Sequence, residues 1–402
     1  MDLIPVLKAL LRNKLGAILV AAQIAVTLTV LCNGAFIAWK RYEHMTRPTG
    51  MDVMNIFSIA VIGIDEDYDE QGSVNRDVEA IEALPGIISA TPINSVPLSG
   101  GGWGEGFKNS PDPDQPADTA NVYWVNEEGL ETLGVTLAEG RTFTRDEILI
   151  RDSNERGYPE VVIITRALAD QVFGEGEPAL GEMIYPDDDP MRVIGILERM
   201  QGAWLGWDGV ERVAVMPGLM TGDRFTRYLI RTEPGQRDEL MATVETTLAD
   251  LDPRRIVRSN VSMEEYRADS YAGDRAIAVT LLIVIVMLVV ITGLGIVGLV
   301  SFMVSQRTKQ IGTRRALGAQ RFHVVRYFLV ENWLITSIGL SVGVILTMGL
   351  NYWLVSSFSM ARLDWTFVPA GLVLIWSLGL LAAFGPARRA ARVSPAIATR
   401  TV

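Results

Sequence analysis

The stretch QRTKQIGTRRALGAQRFHVVR, residues 306–326, carries Arg307, Lys309, Arg314, Arg315, Arg321 and Arg326 and no acidic residue, in a 402-residue chain of formal charge −11. Such a run can bind lipid headgroups, hold a loop on the cytoplasmic side of a membrane, or dock on another protein. Read as a helix from Gln306 to Leu317, stopped by Gly318, it places Arg307, Ile311, Arg314 and Leu317 on one basic and apolar face. A headgroup-binding turn and a protein-docking helix fit these residues equally well.

Other chemistry finds little support. The single cysteine, Cys32, rules out an intramolecular disulfide, and the two histidines, His44 and His323, lie far apart in sequence. No G-x-S-x-G occurs. The glycine-rich LSGGGWGEGFKNSPDPDQP, residues 98–116, lacks the Lys-Ser or Lys-Thr of a phosphate loop and reads as a flexible loop. PDDDP, residues 186–190, lacks EF-hand spacing and reads as a solvated turn. The chain shows no enzyme site, no metal site and no nucleic-acid-binding pattern.

The elements that position the basic run are apolar. Uncharged runs cover Gly16 to Ala38, Ala276 to Val304 and Phe367 to Phe384, and Tyr327 to Val355 is interrupted only by Glu331. At about 1.5 Å per residue each spans the roughly 30 Å hydrocarbon core. The first run continues into Trp39, Lys40 and Arg41, as an uncleaved anchor does; a cleaved signal peptide would end in a small-residue site instead. Glu331 lies within two turns of the cytoplasmic end of its span, where pairing with a tail residue such as Arg388 is expected.

Charge orients the spans. Fourteen of the 36 basic and three of the 47 acidic residues lie outside 39–275, which leaves 22 against 44 and a formal −22 in between, with +11 elsewhere. Lys and Arg collect on the cytoplasmic side. The N-terminus, the basic loop and the tail PARRAARVSPAIATR are therefore expected inside, and the acidic segment outside. The fold class is a membrane α-helical protein, four transmembrane helices in a 1+3 arrangement, with a large α/β extracytoplasmic domain between helices 1 and 2.

Within that domain, strands are expected at MNIFSIAVIGI, NVYWVN, VVIIT, RVIGIL, RVAVM and RYLIRT, and helices at RDVEAIEAL, RALADQVF and QRDELMATVETTLADL. Ser262, three residues before Glu265, begins a helix. No proline follows before Arg307, so one continuous helix is expected from Met263 to about Arg307, with Gly273 its weak point. The expected boundaries are 1–15 for an amphipathic N-terminal helix at the inner surface, 16–39 for span 1, and 40–275 for the outer domain with stalk extensions near 39–47 and 263–275. Then come 276–305 for span 2, 306–323 for a coupling loop, 324–355 for span 3, 356–365 for a short outer loop, 366–385 for span 4 and 386–402 for a basic tail. Gly339 and Gly343 form a G-x-x-x-G pair that suits packing within the subunit or across a dimer.

QRTKQIGTRRALGAQRFHVVRYFLVENWLI resembles the signature of the FtsX-type and MacB-type ABC transporter permeases. The tail PARRAARVSPAIA resembles their C-terminal end, and LAEGRTFTRDE, RALADQVFGEGEPALGEMI and RVIGIL resemble the MacB-type periplasmic core. The likeness covers nearly the whole chain. It implies an inner-membrane permease that couples hydrolysis in a separate ATPase to movement of its periplasmic domain, for export or efflux. A lipoprotein-releasing permease and a non-transporting FtsX-like scaffold share the pattern. The resemblance assigns ATPase coupling to Arg307, Ile311, Gly312, Arg314, Arg315, Leu317, Gly318 and Ala319; Gln310 stands where family members often have Glu. It implies two ATPase copies that bind ATP and Mg, a second permease, identical or homologous, and membrane lipid. A periplasmic adaptor and an outer-membrane channel would extend such a machine. No G-x-x-x-x-G-K-[ST] occurs, so this chain itself binds no cofactor by this reading.

Overall fold

The computed structural model describes residues 14–152, 157–186 and 189–393. Helix α1 (Lys14–Thr46) opens the described chain. Then come β1 (Ile56–Gly63), α2 (Glu70–Glu82), β2 (Ile87–Pro92), β3 (Gly104–Lys108), β4 (Asp118–Val125), α3 (Gly129–Leu133), β5 (Leu137–Gly140), β6 (Leu149–Asp152) and β7 (Val161–Thr165). The domain continues through α4 (Arg166–Phe173), β8 (Met183–Pro186), β9 (Met191–Leu197), β10 (Val213–Thr221), β11 (Phe225–Thr232), α5 (Arg237–Leu251), β12 (Arg255–Ser262) and α6 (Met263–Ser270). The described chain then runs through α7 (Ala272–Gln306), α8 (Thr308–Ala316), α9 (Arg321–Phe358) and α10 (Phe367–Ala390). Two compact units result: residues 47–272, and residues 1–46 with 273–402.

In the first unit, strands β4, β3, β8, β9, β7 and β10 pair in that order, and β10 returns to β4 in parallel, so the six close into a ring. Alternate residues supply one core: Val122 and Trp124 of β4, Val162 and Ile164 of β7, Ala214 and Met216 of β10, with Leu168 and Val172 of α4. β10 outlasts the ring, pairs its last residues with β6, and turns into β11. β11 is an inner strand of a second, antiparallel sheet in the order β12, β1, β11, β2. Helices α2 and α5 cover it, with Val74, Ile81, Val244 and Leu248 on Phe57, Ile59 and Val61.

Beneath these helices lies a buried ion pair. Arg255 donates from Nη1 to both Asp77 oxygens at 2.7 Å, and Tyr228 donates its hydroxyl to Asp77 Oδ2 at 2.8 Å. Arg255 Nε also donates to the Leu248 carbonyl. Burying two charges costs several kcal/mol unless such bonds replace the lost water.

In the membrane unit, α1 packs on α7, α9 and α10. Gly339 and Gly343 both face α1: a Cβ at Gly339 would come within 2.7 Å of the Ala21 carbonyl, and one at Gly343 within 3.0 Å of the Leu28 side chain. The G-x-x-x-G pair thus packs within the subunit. Polar bonds cross the same interfaces. Thr27 and Thr292 hydroxyls meet at 2.8 Å, Asn33 Nδ2 donates to the Thr347 carbonyl, and Asn332 Nδ2 donates to the Gly379 carbonyl at 2.9 Å. In a hydrocarbon surround, small residues and such bonds replace the hydrophobic drive for helix association. Arg41 and Asp274, at 2.7 Å, tie the outer ends of α1 and α7.

Two expectations are corrected. The glycine-rich segment is not wholly loop: residues 104–108 form β3, which pairs with both β4 and β8. The expected helix from Met263 to Arg307 is two helices, α6 and α7, separated at Tyr271 (φ −93°, ψ 5°). Ser262 does cap α6, accepting from the Glu265 N–H at 3.1 Å. The interruption follows from tertiary contacts: Ser270 donates its hydroxyl to the Leu98 carbonyl and Tyr271 is buried. The N-terminal surface helix, the end of the tail beyond residue 393 and part of PDDDP lie outside the described residues.

Glu128, just before α3, is raised from 4.5 to about 8 by hydrogen bonding with the Glu82 carboxylate, then by burial and the charges of Glu82, Glu127 and Glu131. A carboxyl raised on folding binds its proton more tightly in the folded state. Its stabilisation is complete below pH 4.5 and is lost as pH rises through about 8. The thermal unfolding midpoint of the full chain in detergent should therefore fall less in Glu128→Gln than in the wild type between about pH 5 and about pH 8.5. Equal slopes in the two proteins would contradict this.

Candidate coupling site at the base of the second and third spans

The basic run folds into the turn Arg307, helix α8, the stop at Gly318 and the first turns of α9. Gly318 has φ +96°, and its N–H donates to the Arg315 carbonyl while that of Ala319 donates to the Arg314 carbonyl. Glycine adopts this left-handed conformation at little cost, which lets the chain leave α8 and start α9 within a few residues.

Arg307 sits between α7 and α8 and turns inward. Its Nη1 lies 2.9 Å from Glu331 Oε2 and 3.1 Å from the Tyr327 hydroxyl. Its guanidinium also sits 5.8 Å from the centre of the Tyr327 ring, and that of Arg314 5.9 Å. The Glu331 side chain is 1% exposed and that of Arg307 19%. Glu331 thus pairs with Arg307 and not with Arg388. The reason is geometric: Arg307 ends span 2 and Glu331 lies within the first turns of span 3, so the short α8 connection brings them to the same depth.

The expected face of Arg307, Ile311, Arg314 and Leu317 does not form as one surface. Arg307 precedes α8, and Ile311 is buried in the bundle core with Val324, Phe328, Ala387 and Ala390. Gly312 is buried beside it. Arg315 is half-buried and donates from Nη1 to the Val393 carbonyl, which ties α8 to the chain just beyond α10. Of the eight candidate residues, Arg307, Ile311, Gly312 and Arg315 seat the helix. Gly318 stops it. Arg314 and Leu317, the latter 84% exposed, face outward with Lys309, Gln310 and Thr313. Ala319 is half-buried.

Sequence reasoning missed Tyr327 as a partner for both arginines. It also missed the buried polar residues Asn332, next to Glu331, and Thr336, a little over one turn further on. The signal was available as uncharged polar residues inside an otherwise apolar span.

Two family profiles match this arrangement. The MacB-like periplasmic core domain matches residues 24–247, and the FtsX-like permease C-terminal region matches residues 282–395. This chain is a member of the MacB/FtsX-like permease family. The permease is a multi-pass membrane protein whose MacB-like domain is periplasmic. It is 28% identical over 291 residues to the macrolide export ATP-binding/permease protein MacB of Chromobacterium violaceum, which covers 69% of this chain and 42% of that protein. The protein of the same name from Escherichia coli K12 is 25% identical over 358 residues, covering 87% of this chain and 52% of that one. The permease spans about half the length of these relatives, and both matched regions are permease regions. The periplasmic region of MacB from Actinobacillus actinomycetemcomitans aligns at 15% identity with a TM-score of 0.32, over 52% of this chain and 90% of that one.

Removing one partner of a buried pair leaves an uncompensated charge and costs about 3–5 kcal/mol, whereas replacing both by apolar residues is often neutral. Glu331→Ala should therefore lower the unfolding midpoint of the permease in mixed micelles well below that of the double variant Arg307→Met/Glu331→Leu. Equal loss in the two variants would show that the pair carries no coupling energy.

Proposed function

We propose that the permease takes its motion from a separate ABC ATPase that docks on α8, and passes that motion to the periplasmic domain to drive export or efflux. The observation that carries this reading is the way α8 is mounted. Its exposed side offers Arg314 and Leu317, while its buried side is fixed to both neighbouring spans through Ile311 and the Arg307–Glu331 pair. A push on α8 is thereby delivered to α7 and α9 together. ATP and Mg are bound by the ATPase, and two ATPases with a second permease, identical or homologous, complete the assembly.

α7, 35 residues long, reaches about 52 Å, well beyond the hydrocarbon core. Its outer end meets α6 through the turn at Tyr271. The helix is thus interrupted at Tyr271, and in this reading movement of α7 is not carried on by one rigid rod. The spans carry one acidic residue, Glu331, already paired with Arg307, which fits force transmission better than a charged mid-membrane binding site.

The test is copurification of an ABC ATPase with the tagged permease from native membranes. The double variant Arg314→Glu/Leu317→Asp should insert normally and lose ATPase capture at least about tenfold, which corresponds to ~1.4 kcal/mol of binding. Capture unchanged in this variant would reduce α8 to a topological anchor. Failure of the wild-type permease to capture any ATPase would overturn the coupling reading as a whole.

A further inference from the structure

A crevice of about 70 Å³ opens in the periplasmic domain where the β10–β11 hairpin passes from the ring of strands to the second sheet. A water needs roughly 10–15 Å³ by this measure, so the space admits a small planar group. Trp103, Trp124 and Phe225 give it aromatic walls, and Glu70, Asp223 and Arg227 are its charged lining. Trp124 is buried, whereas Trp103 is 40% and Phe225 37% exposed, large apolar surfaces left to solvent.

The charged groups differ in how they are satisfied. Glu70 is already engaged: its Oε2 accepts from the N–H groups of Gly222 and Arg224 at 2.7 and 3.2 Å, and the Thr226 hydroxyl approaches its Oε1. Asp223 is exposed to solvent. Arg227 is half-buried, its guanidinium lies 5.1 Å from the Phe225 ring centre, and its Nε is shielded without a hydrogen-bond partner among the described residues. No ion pair joins it to a carboxylate among those residues, and burial pulls its pKa below the usual arginine value. Elsewhere in the domain buried arginine is handled differently: Arg255 has both oxygens of Asp77.

A cation partly withdrawn from water without a counter-charge is less well solvated than a free one, and a bound anion offsets that loss. Aromatic walls with a few charged or polar groups are the usual anatomy of a small-molecule site, and Arg227 is the cation of this one. We infer that this crevice binds a small aromatic or apolar carboxylate, its ring lodged among Trp103, Trp124 and Phe225 and its carboxylate paired with Arg227. The proposal is independent of the ATPase coupling above, and its test uses no nucleotide.

The probes are phenylacetate and phenethylammonium, which share a ring and differ in charge. Saturation-transfer NMR on the full chain in lipid nanodiscs, with empty nanodiscs subtracted, gives the affinity of each. Phenylacetate should bind saturably and phenethylammonium should not. Arg227→Gln should weaken phenylacetate at least about tenfold, by ~1.4 kcal/mol, and Arg227→Lys, which keeps the charge, should weaken it less. Trp103→Ala should weaken it too; Trp103 is part-exposed, so the change spares the core. Far-ultraviolet circular dichroism and a thermal unfolding midpoint close to those of wild type identify the variants that have folded. No saturable binding, equal binding of the two probes, or full affinity in folded Arg227→Gln would each overturn the inference.

Discussion

A carboxylate placed inside a membrane span needs a cation at its own depth. Glu331 meets this need with Arg307, across the short cytoplasmic connection between the second and third spans. Much of the cytoplasmic architecture follows from this pair. It draws the end of α7 against the start of α9, it leaves α8 as a short helix folded under the bundle, and it turns Ile311 into the core. Tyr327 completes the arrangement by meeting both arginine side chains with its ring and Arg307 with its hydroxyl. A motif that reads as a string of contact residues is thus mostly a mounting, with a small outward face.

The two units solve the burial problem in different solvents. In the periplasmic domain, water drives Trp124, Ile164, Met216 and their neighbours into one core and Phe57, Ile59 and Val61 under two helices. In the bundle, lipid supplies no such drive. Close approach at Gly339 and Gly343, and hydrogen bonds from Asn33 and Asn332 to carbonyls of neighbouring helices, hold the helices together instead. An ion pair with a fully buried carboxylate is found in each unit, Asp77 with Arg255 and Glu331 with Arg307, and in each an additional tyrosine hydroxyl reaches the pair.

Strong local patterns were legible. RALADQVF forms α4 at its expected ends, and VVIIT forms β7, because an amphipathic face or a β-branched run states its own period. The four apolar helices were equally plain, since length and hydropathy suffice. Short strands were not. β3, β5, β6 and β8 have four or five residues and little apolar alternation, and they exist because neighbouring strands supply partners. For the coupling site, the residues and the glycine stop could be named from the motif, but their sorting into buried and exposed could not, because every arginine in the run looks alike in sequence.

By itself the sequence determined the number of spans, their orientation and the class of the domain between them, because hydropathy and charge act residue by residue. Tertiary structure alone decided the closure of six strands into a ring, the break at Tyr271, and the partner of Glu331. Each of these depends on groups distant in the chain arriving at one place: β10 beside β4, Leu98 beside Ser270, Arg307 beside Glu331. Local propensity favours a continuous helix through residue 271, yet one buried tyrosine and one serine-to-carbonyl bond outweigh it, since a few tenths of a kcal/mol per residue is all that propensity offers.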